Sequence, residues 1–205
     1  MDGTLIDSMK YHVRAWMQAF EEMGYHPDEL IFYLNEGVRH PLTVRKRLKE
    51  LGIRDFDEKL IEKIYTRKRQ IFEDILEIKP TEGVMDLLEE LKGKVTLGIV
   101  TGGVRSVTQK VIKQLFDGYF DIVVDYESTE KGKPDPDPFL KGAELAGCPK
   151  GNILAIENAP TGVESAIAAG LTCWAVCTTL EPKYLSRATR IFANFHEVKK
   201  ALLGE

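Results

Sequence analysis

The chain lacks any apolar run of about 18 residues or more, which excludes a helix built to span a bilayer. Cysteine is scarce. Cys148, Cys173 and Cys177 are an odd set with no CxxC pair and no histidine at zinc-finger spacing, so neither a disulfide framework nor a structural zinc site is encoded, and buried thiols in a reducing cytoplasm are expected. Basic charge is not in surplus either. With 28 Lys and Arg against 32 Asp and Glu the net charge is -4, which argues against a binder of nucleic-acid backbones, since such proteins gather cations on one face. A small anionic substrate remains compatible, because local fields decide its binding. No repeat, low-complexity tract or signal peptide is visible.

What is present is a 205-residue chain with 43% hydrophobic residues, enough for one core or for one core carrying an insert. From Tyr11 to about Glu77 the periodicity is helical, with Val13, Trp16, Met17 and Phe20 recurring at three- and four-residue steps. Gly24 and Pro27, then Gly37 and Pro41, then Gly52 punctuate it, leaving a long last helix over about Asp57 to Ile78.

After Pro80 the texture changes. Short β-rich runs at Val95-Val100, Ile122-Asp125, Ile153-Ile156, Thr172-Val176 and Arg190-Phe192 alternate with helices at Gly83-Leu91, Val104-Phe116, Pro138-Ala146 and Gly162-Ala169. Alternation of that length predicts a parallel sheet with right-handed crossovers and ligands beyond the C-terminal strand ends. The expected fold is therefore α/β: a doubly wound, Rossmann-like core from residues 1–9 and 79–205, with an inserted all-α cap over residues 10–78.

Four segments carry chemistry. Asp2-Gly3-Thr4 pairs a carboxylate with a glycine that permits a tight turn and a hydroxyl that can fix it. Val100-Thr101-Gly102-Gly103 ends an apolar strand and opens a helix, where a hydroxyl and backbone N–H groups make either an anion site or a plain turn. In Lys131-Gly132-Lys133-Pro134-Asp135-Pro136-Asp137-Pro138, prolines at alternate positions predict a stiff extended loop that can present one lysine in a fixed direction. Leu154-Ala155-Ile156-Glu157-Asn158 is an apolar strand ending in a carboxylate, suited to a hard cation, and Asn158 could also open a helix capping box.

Order and spacing of these four segments resemble the haloacid dehalogenase superfamily of phosphatases, specifically the branch with a helical cap after the first motif that includes phosphoglycolate phosphatases, sugar-phosphate phosphatases and β-phosphoglucomutase. The superfamily's first motif reads Asp-x-Asp-Gly-Thr. Met1 stands at x and Asp2 at the second Asp, so the resemblance expects the attacking carboxylate, and the apolar strand delivering it, just upstream of Met1. It further implies that Asp2 is the general acid and base with its carbonyl on a Mg²⁺ ion, that Thr101 with Gly102 grips the phosphate, that Lys133 neutralises nucleophile and phosphate, and that Glu157 with Asn158 completes the metal site. Asn158 stands where many members have a second Asp, which predicts weaker metal binding.

The implied substrate is a small phosphorylated metabolite, a sugar phosphate or a phosphoglycolate-like compound, selected by the cap. His12 in Tyr11-His12-Val13-Arg14-Ala15-Trp16 would either assist the acid/base cycle or simply pack. Arg39 and His40 would meet a sugar hydroxyl or second phosphate, or else belong to a solvated basic face with Arg45, Lys46, Arg47 and Lys49. A Mg²⁺-dependent phosphatase is expected over a phosphomutase, because Gly3-Thr4-Leu5 is the usual phosphatase wording. A non-catalytic phosphate-binding relative is the reading in which no nucleophile precedes Met1.

Overall fold

The computed structural model describes residues 1–204. Four helices follow the N-terminal motif: α1 (Met9–Glu21), α2 (Leu30–Leu34), α3 (His40–Glu50) and α4 (Glu58–Ile75). The apolar stripe of α1 predicted from its periodicity is the face it buries. Val13, Trp16 and Phe20 pack with Phe32 of α2, Val44 and Leu48 of α3, and Ile61, Ile64 and Phe72 of α4 in one cluster that forms the core of the cap. Asp57 caps α4 by accepting from the Leu60 N–H at 2.9 Å. The helix stops at Ile75, three residues before the Ile78 read from the sequence, because Leu76 turns to extended backbone and carries the chain back to the core. There the two crossings lie side by side. The Asp7 N–H donates to the Lys79 carbonyl at 3.0 Å and the Thr81 N–H to the Leu5 carbonyl at 2.9 Å.

Beyond Pro80 run α5 (Val84–Leu91), β1 (Gly98–Val100), α6 (Arg105–Leu115), β2 (Ile122–Val124), α7 (Asp137–Ala146), β3 (Leu154–Glu157), α8 (Pro160–Ala168), β4 (Thr172–Val176), β5 (Arg190–Phe192) and α9 (Phe195–Leu203). β1 is shorter than the run from Val95 suggests, since Val95 is half exposed and ends the turn after α5. The pairings among β1 to β5 are parallel, as the crossover helices require. The single sheet expected from the sequence is divided among the described residues into β1-β2 and β3-β4-β5. Met1 is buried in the apolar cluster that contains Ile99 of β1 and Val176 of β4, so the N-terminal residues lie between the two sheets.

Pro138 sits in the first turn of α7, as the helix read over Pro138-Ala146 anticipates, and there a missing N–H costs nothing. One local reading is corrected. No capping box begins at Asn158: α8 starts at Pro160 with Ala159 at its N-cap, and the Asn158 side chain is spent elsewhere. The small residues of α8 do bring it close to the sheet, with Val163 and Ala166 against Ala155 and Cys173.

Candidate active site

The C-terminal ends of β1 and β3 and the N-terminal turn converge beneath the cap, as the strand-end rule for parallel sheets anticipates. Lys133 stands across the seam between the two sheets. Its side chain is 6% exposed, and its Nζ donates to the Val100 carbonyl at the end of β1 at 3.0 Å and pairs with Glu157 Oε1 at the end of β3 at 2.5 Å. One buried cation thus closes both strand ends. Thr101, directly after β1, is buried and accepts from the Gly103 N–H at 3.1 Å, which leaves its hydroxyl hydrogen free to donate.

Asp2 faces the cap. Its Oδ1 accepts from Ser8 Oγ at 2.6 Å and lies 3.1 Å from His12 Nε2. Burial by itself would raise this carboxyl, but the charge and hydrogen bond of His12 and the hydrogen bond from Ser8 hold it well below the usual carboxylate range, while burial and Lys68 push the His12 imidazole itself down. His12 does more than pack. It stacks on Phe72 at 3.9 Å, and its Nδ1 lies 2.8 Å from Lys68 Nζ. Burial pushes the Lys68 ammonium down to about 7, partly opposed by Asp2, while its Nζ rests 4.5 Å from the Phe72 ring centre. A chain of Lys68, His12 and Asp2 therefore runs from the cap into the core.

Sequence reasoning passed over Lys68, although a signal existed: it occupies a position in the apolar stripe Ile61, Ile64, Ile71 and Phe72 of α4, where a lysine needs a buried partner. Glu36 carried no such signal. It lies in the loop between α2 and α3, accepting from Asn158 Nδ2 at 2.7 Å through its carboxylate and from the Thr161 hydroxyl through its carbonyl.

Arg39 and His40, read from the sequence as facing a sugar hydroxyl or second phosphate or else a solvated basic face, go different ways: Arg39 turns onto the core and His40 lines the cavity. The Arg39 guanidinium turns onto the core, donating to the Tyr126 carbonyl at 3.1 Å and to the Thr129 carbonyl. His40 stacks on Tyr65 at 4.9 Å, and burial pushes its imidazole down to about 3, so it faces the cavity uncharged. That cavity, about 80 Å³, lies between cap and core. Asp2, His12, Trp16, Phe32, Glu36 and His40 line it, with Thr101, Gly102 and Lys133 at its floor.

The same atoms bear on a cation site. Among the described residues no three His, Cys, Asp or Glu side chains are arranged around one point. The Glu157 carboxylate is taken by Lys133 and by the Asn158 N–H, and the Asn158 oxygen accepts from the Thr4 hydroxyl at 2.7 Å. The donor chemistry nevertheless fits Mg²⁺, which takes hard oxygens from one or two carboxylates and fills the rest of its shell with water and substrate. Glu36, beside Asn158, is pushed up to about 8, chiefly by burial and further by the nearby Asp2 and Glu157 carboxylates. A carboxyl raised from 4.5 to about 8 contributes stability that is fully present below pH 4.5 and lost as pH rises through 8, because the folded state binds the extra proton in that window. With divalent ions chelated, the wild type is expected to lose stability relative to Glu36→Gln across that window. Urea midpoints that track each other at every pH would refute the assignment.

Comparison with known proteins follows the same direction. The family described as haloacid dehalogenase-like hydrolase matches residues 1–176. A phosphoglycolate phosphatase from Aquifex aeolicus is 31% identical over 175 residues, covering 83% of this chain and 78% of its own length. Hexitol phosphatase A from Escherichia coli is 28% identical over 200 residues, covering 97% of this chain and 90% of its own. The crystal structure of a hydrolase from Pseudomonas syringae superposes with a TM-score of 0.88 at 24% identity, covering 99% of this chain and 95% of that one, a likeness of fold.

Proposed function

This chain belongs to the haloacid dehalogenase-like hydrolase family, and on that premise we propose that it is a Mg²⁺-dependent phosphoric monoester hydrolase acting on a small phosphorylated metabolite through an aspartyl-phosphate. The observation that carries the reading is Lys133, held by Val100 and Glu157 at the meeting point of both sheets, beside the free hydroxyl of Thr101. A dianionic phosphoryl group needs a fixed cation and fixed donors where its equatorial charge develops. Lys133 supplies the cation, and Thr101 with the Gly102 backbone supplies the donors.

Asp2 takes the acid and base role. Its depressed carboxyl is the base form in this state, so protonating the leaving oxygen requires a proton passed to it, and the His12 ring, itself pushed down by burial and Lys68, is the titratable group 3.1 Å away that can exchange one. Glu157, Asn158 and the Asp2 carbonyl would hold Mg²⁺. The ion, when bound, supplies Lewis-acid polarisation of the phosphoryl oxygens. The attacking carboxylate is assigned to the Asp that precedes x in the motif, ahead of Met1. The position of Met1 between the two sheets, next to Thr101 and Lys133 in the cavity wall, supports that assignment.

Selectivity falls to the cap. Lys133 is the lysine or arginine among the residues lining the cavity, while Arg39 is committed to core carbonyls and Lys68 to His12. Among the described residues lining this cavity a second phosphate would find no further cation, which favours a phosphatase over a phosphomutase. The aromatic and amide walls, Trp16, Phe32 and Asn35, suit a hydroxylated carbon chain such as a sugar or polyol phosphate better than a phosphoglycolate-like dianion. Free cysteines and the absence, among the described residues, of a helix long and apolar enough to cross a membrane accompany a cytoplasmic placement.

The test compares hydrolysis of an aryl phosphate with Mg²⁺ by this chain and by a form extended through the upstream codons. Turnover in the extended form alone is expected. Equal turnover in both would remove the aspartyl-phosphate route. With the active form, a panel of phosphorylated metabolites should rank polyol phosphates that lack a carboxylate above carboxylated ones.

A further inference from the structure

The loop from Glu36 to Arg39 touches three core loops at once. Thr161 and Asn158 hold Glu36 from the β3–α8 turn. Gly37 lies on the turn after β1 so closely that a Cβ on Gly102 would stand 2.9 Å from the Gly37 carbonyl oxygen, and a Cβ on Gly37 itself would stand 3.0 Å from Lys133 Cδ. Arg39 then passes over Gly132, where a Cβ would stand 2.9 Å from Arg39 Cγ, and reaches Tyr126 and Thr129. Its guanidinium lies over the Tyr126 ring at 4.1 Å. Two carbonyl acceptors and an aromatic face are met by one planar cation, a combination that Arg satisfies and Lys does not. The Arg39 Nε is buried without a partner, a cost that the two carbonyl bonds and the ring contact must offset.

We propose that Arg39 is a positioning residue that clamps the cap onto the loop carrying Lys133, tying cap closure to the placement of the phosphate-neutralising lysine. The segment Tyr126 to Gly132 that Arg39 grips leads directly into Lys133, so the clamp and the catalytic cation share one stretch of backbone. Without the clamp, the closed state becomes a fraction of the population. Apparent affinity then falls by that fraction, while a saturating substrate can still close the cap.

The proposal rests on the phosphatase reading only for its kinetic readout. Backbone hydrogen exchange, which needs no substrate, is to be measured on the wild type, Arg39→Ala, Arg39→Lys and Gly132→Ala, the last displacing the arm without altering a charge. Faster exchange in residues 36–39 and 126–132 is expected in all three. In the form competent for aryl phosphate hydrolysis, KM should rise about tenfold or more while kcat changes by less than about threefold, and Arg39→Lys should fail to restore it. Unchanged exchange in both segments would overturn the clamp, as would a fall in kcat at constant KM. Should Arg39→Ala fold poorly, Tyr126→Leu, which removes the aromatic face and keeps the carbonyls, gives the same exchange readout with a smaller amplitude. A protein with faster exchange in the variants but no turnover of any phosphate ester would sink the phosphatase reading and leave the clamp standing.

Discussion

Replacing Lys133 with alanine is expected to cost about 3–5 kcal/mol of folding stability and to lower kcat by about 10²- to 10³-fold. Both effects have one origin. The Lys133 and Glu157 side chains are 6% and 7% exposed, and the ion pair at 2.5 Å is the means by which Glu157 tolerates that burial. Removing the ammonium leaves a carboxylate in a place water cannot reach, and it also leaves the Val100 carbonyl without its donor. Urea unfolding gives the first quantity and aryl phosphate hydrolysis the second. Lys133→Met, which keeps the aliphatic volume and the contact with Gly37, should be as unstable as the alanine variant if charge is the cause. A loss under about 1 kcal/mol would mean that Glu157 is served by the N–H of Asn158 alone and that Lys133 does not organise the site.

Asp2→Asn is expected to lower kcat by about 10²- to 10⁴-fold and also to lower stability above about pH 4, because the charge that His12 and Ser8 hold in place is lost. The asparagine oxygen can still accept from Ser8 and from His12, so the contacts at 2.6 and 3.1 Å survive, but an amide can neither take nor give the proton that the leaving oxygen requires. A substrate with a good leaving group needs less acid help, so the loss should shrink for a nitrophenyl ester relative to an alkyl phosphate. Equal losses with both leaving groups would assign Asp2 to metal or phosphate binding and remove it from proton transfer.

Much of the site could be read before any coordinates existed. Asp2, Thr101, Lys133 and Glu157 are brought to one rim, as their positions after strands and in a stiff loop suggested, and β4 and β5 occupy the runs marked for them. Helix and strand assignment rests on local periodicity, which the chain writes into every few residues. The errors lie at boundaries, such as the end of α4, and at partnerships. The sequence leaves Arg39 between a substrate contact and a solvated basic face, because an arginine in a cap loop is free to go anywhere that its neighbours allow, and nothing local says that Tyr126, 87 residues away, offers a carbonyl and a ring.

By itself, then, the sequence determined the alternation of strands and helices, the all-helical insert and the chemical kinds of the groups at the strand ends, since these follow from side-chain period, glycine and proline placement, and the order of motifs. Tertiary structure alone decided which group each one meets. Lys68 finds His12 across 56 residues and Glu36 finds Asn158 across 122 because α4 and the α2–α3 loop fold over the strand ends at one particular angle. Hydrogen bonds act over about 3 Å, so a partner is fixed only when packing has fixed every distance between.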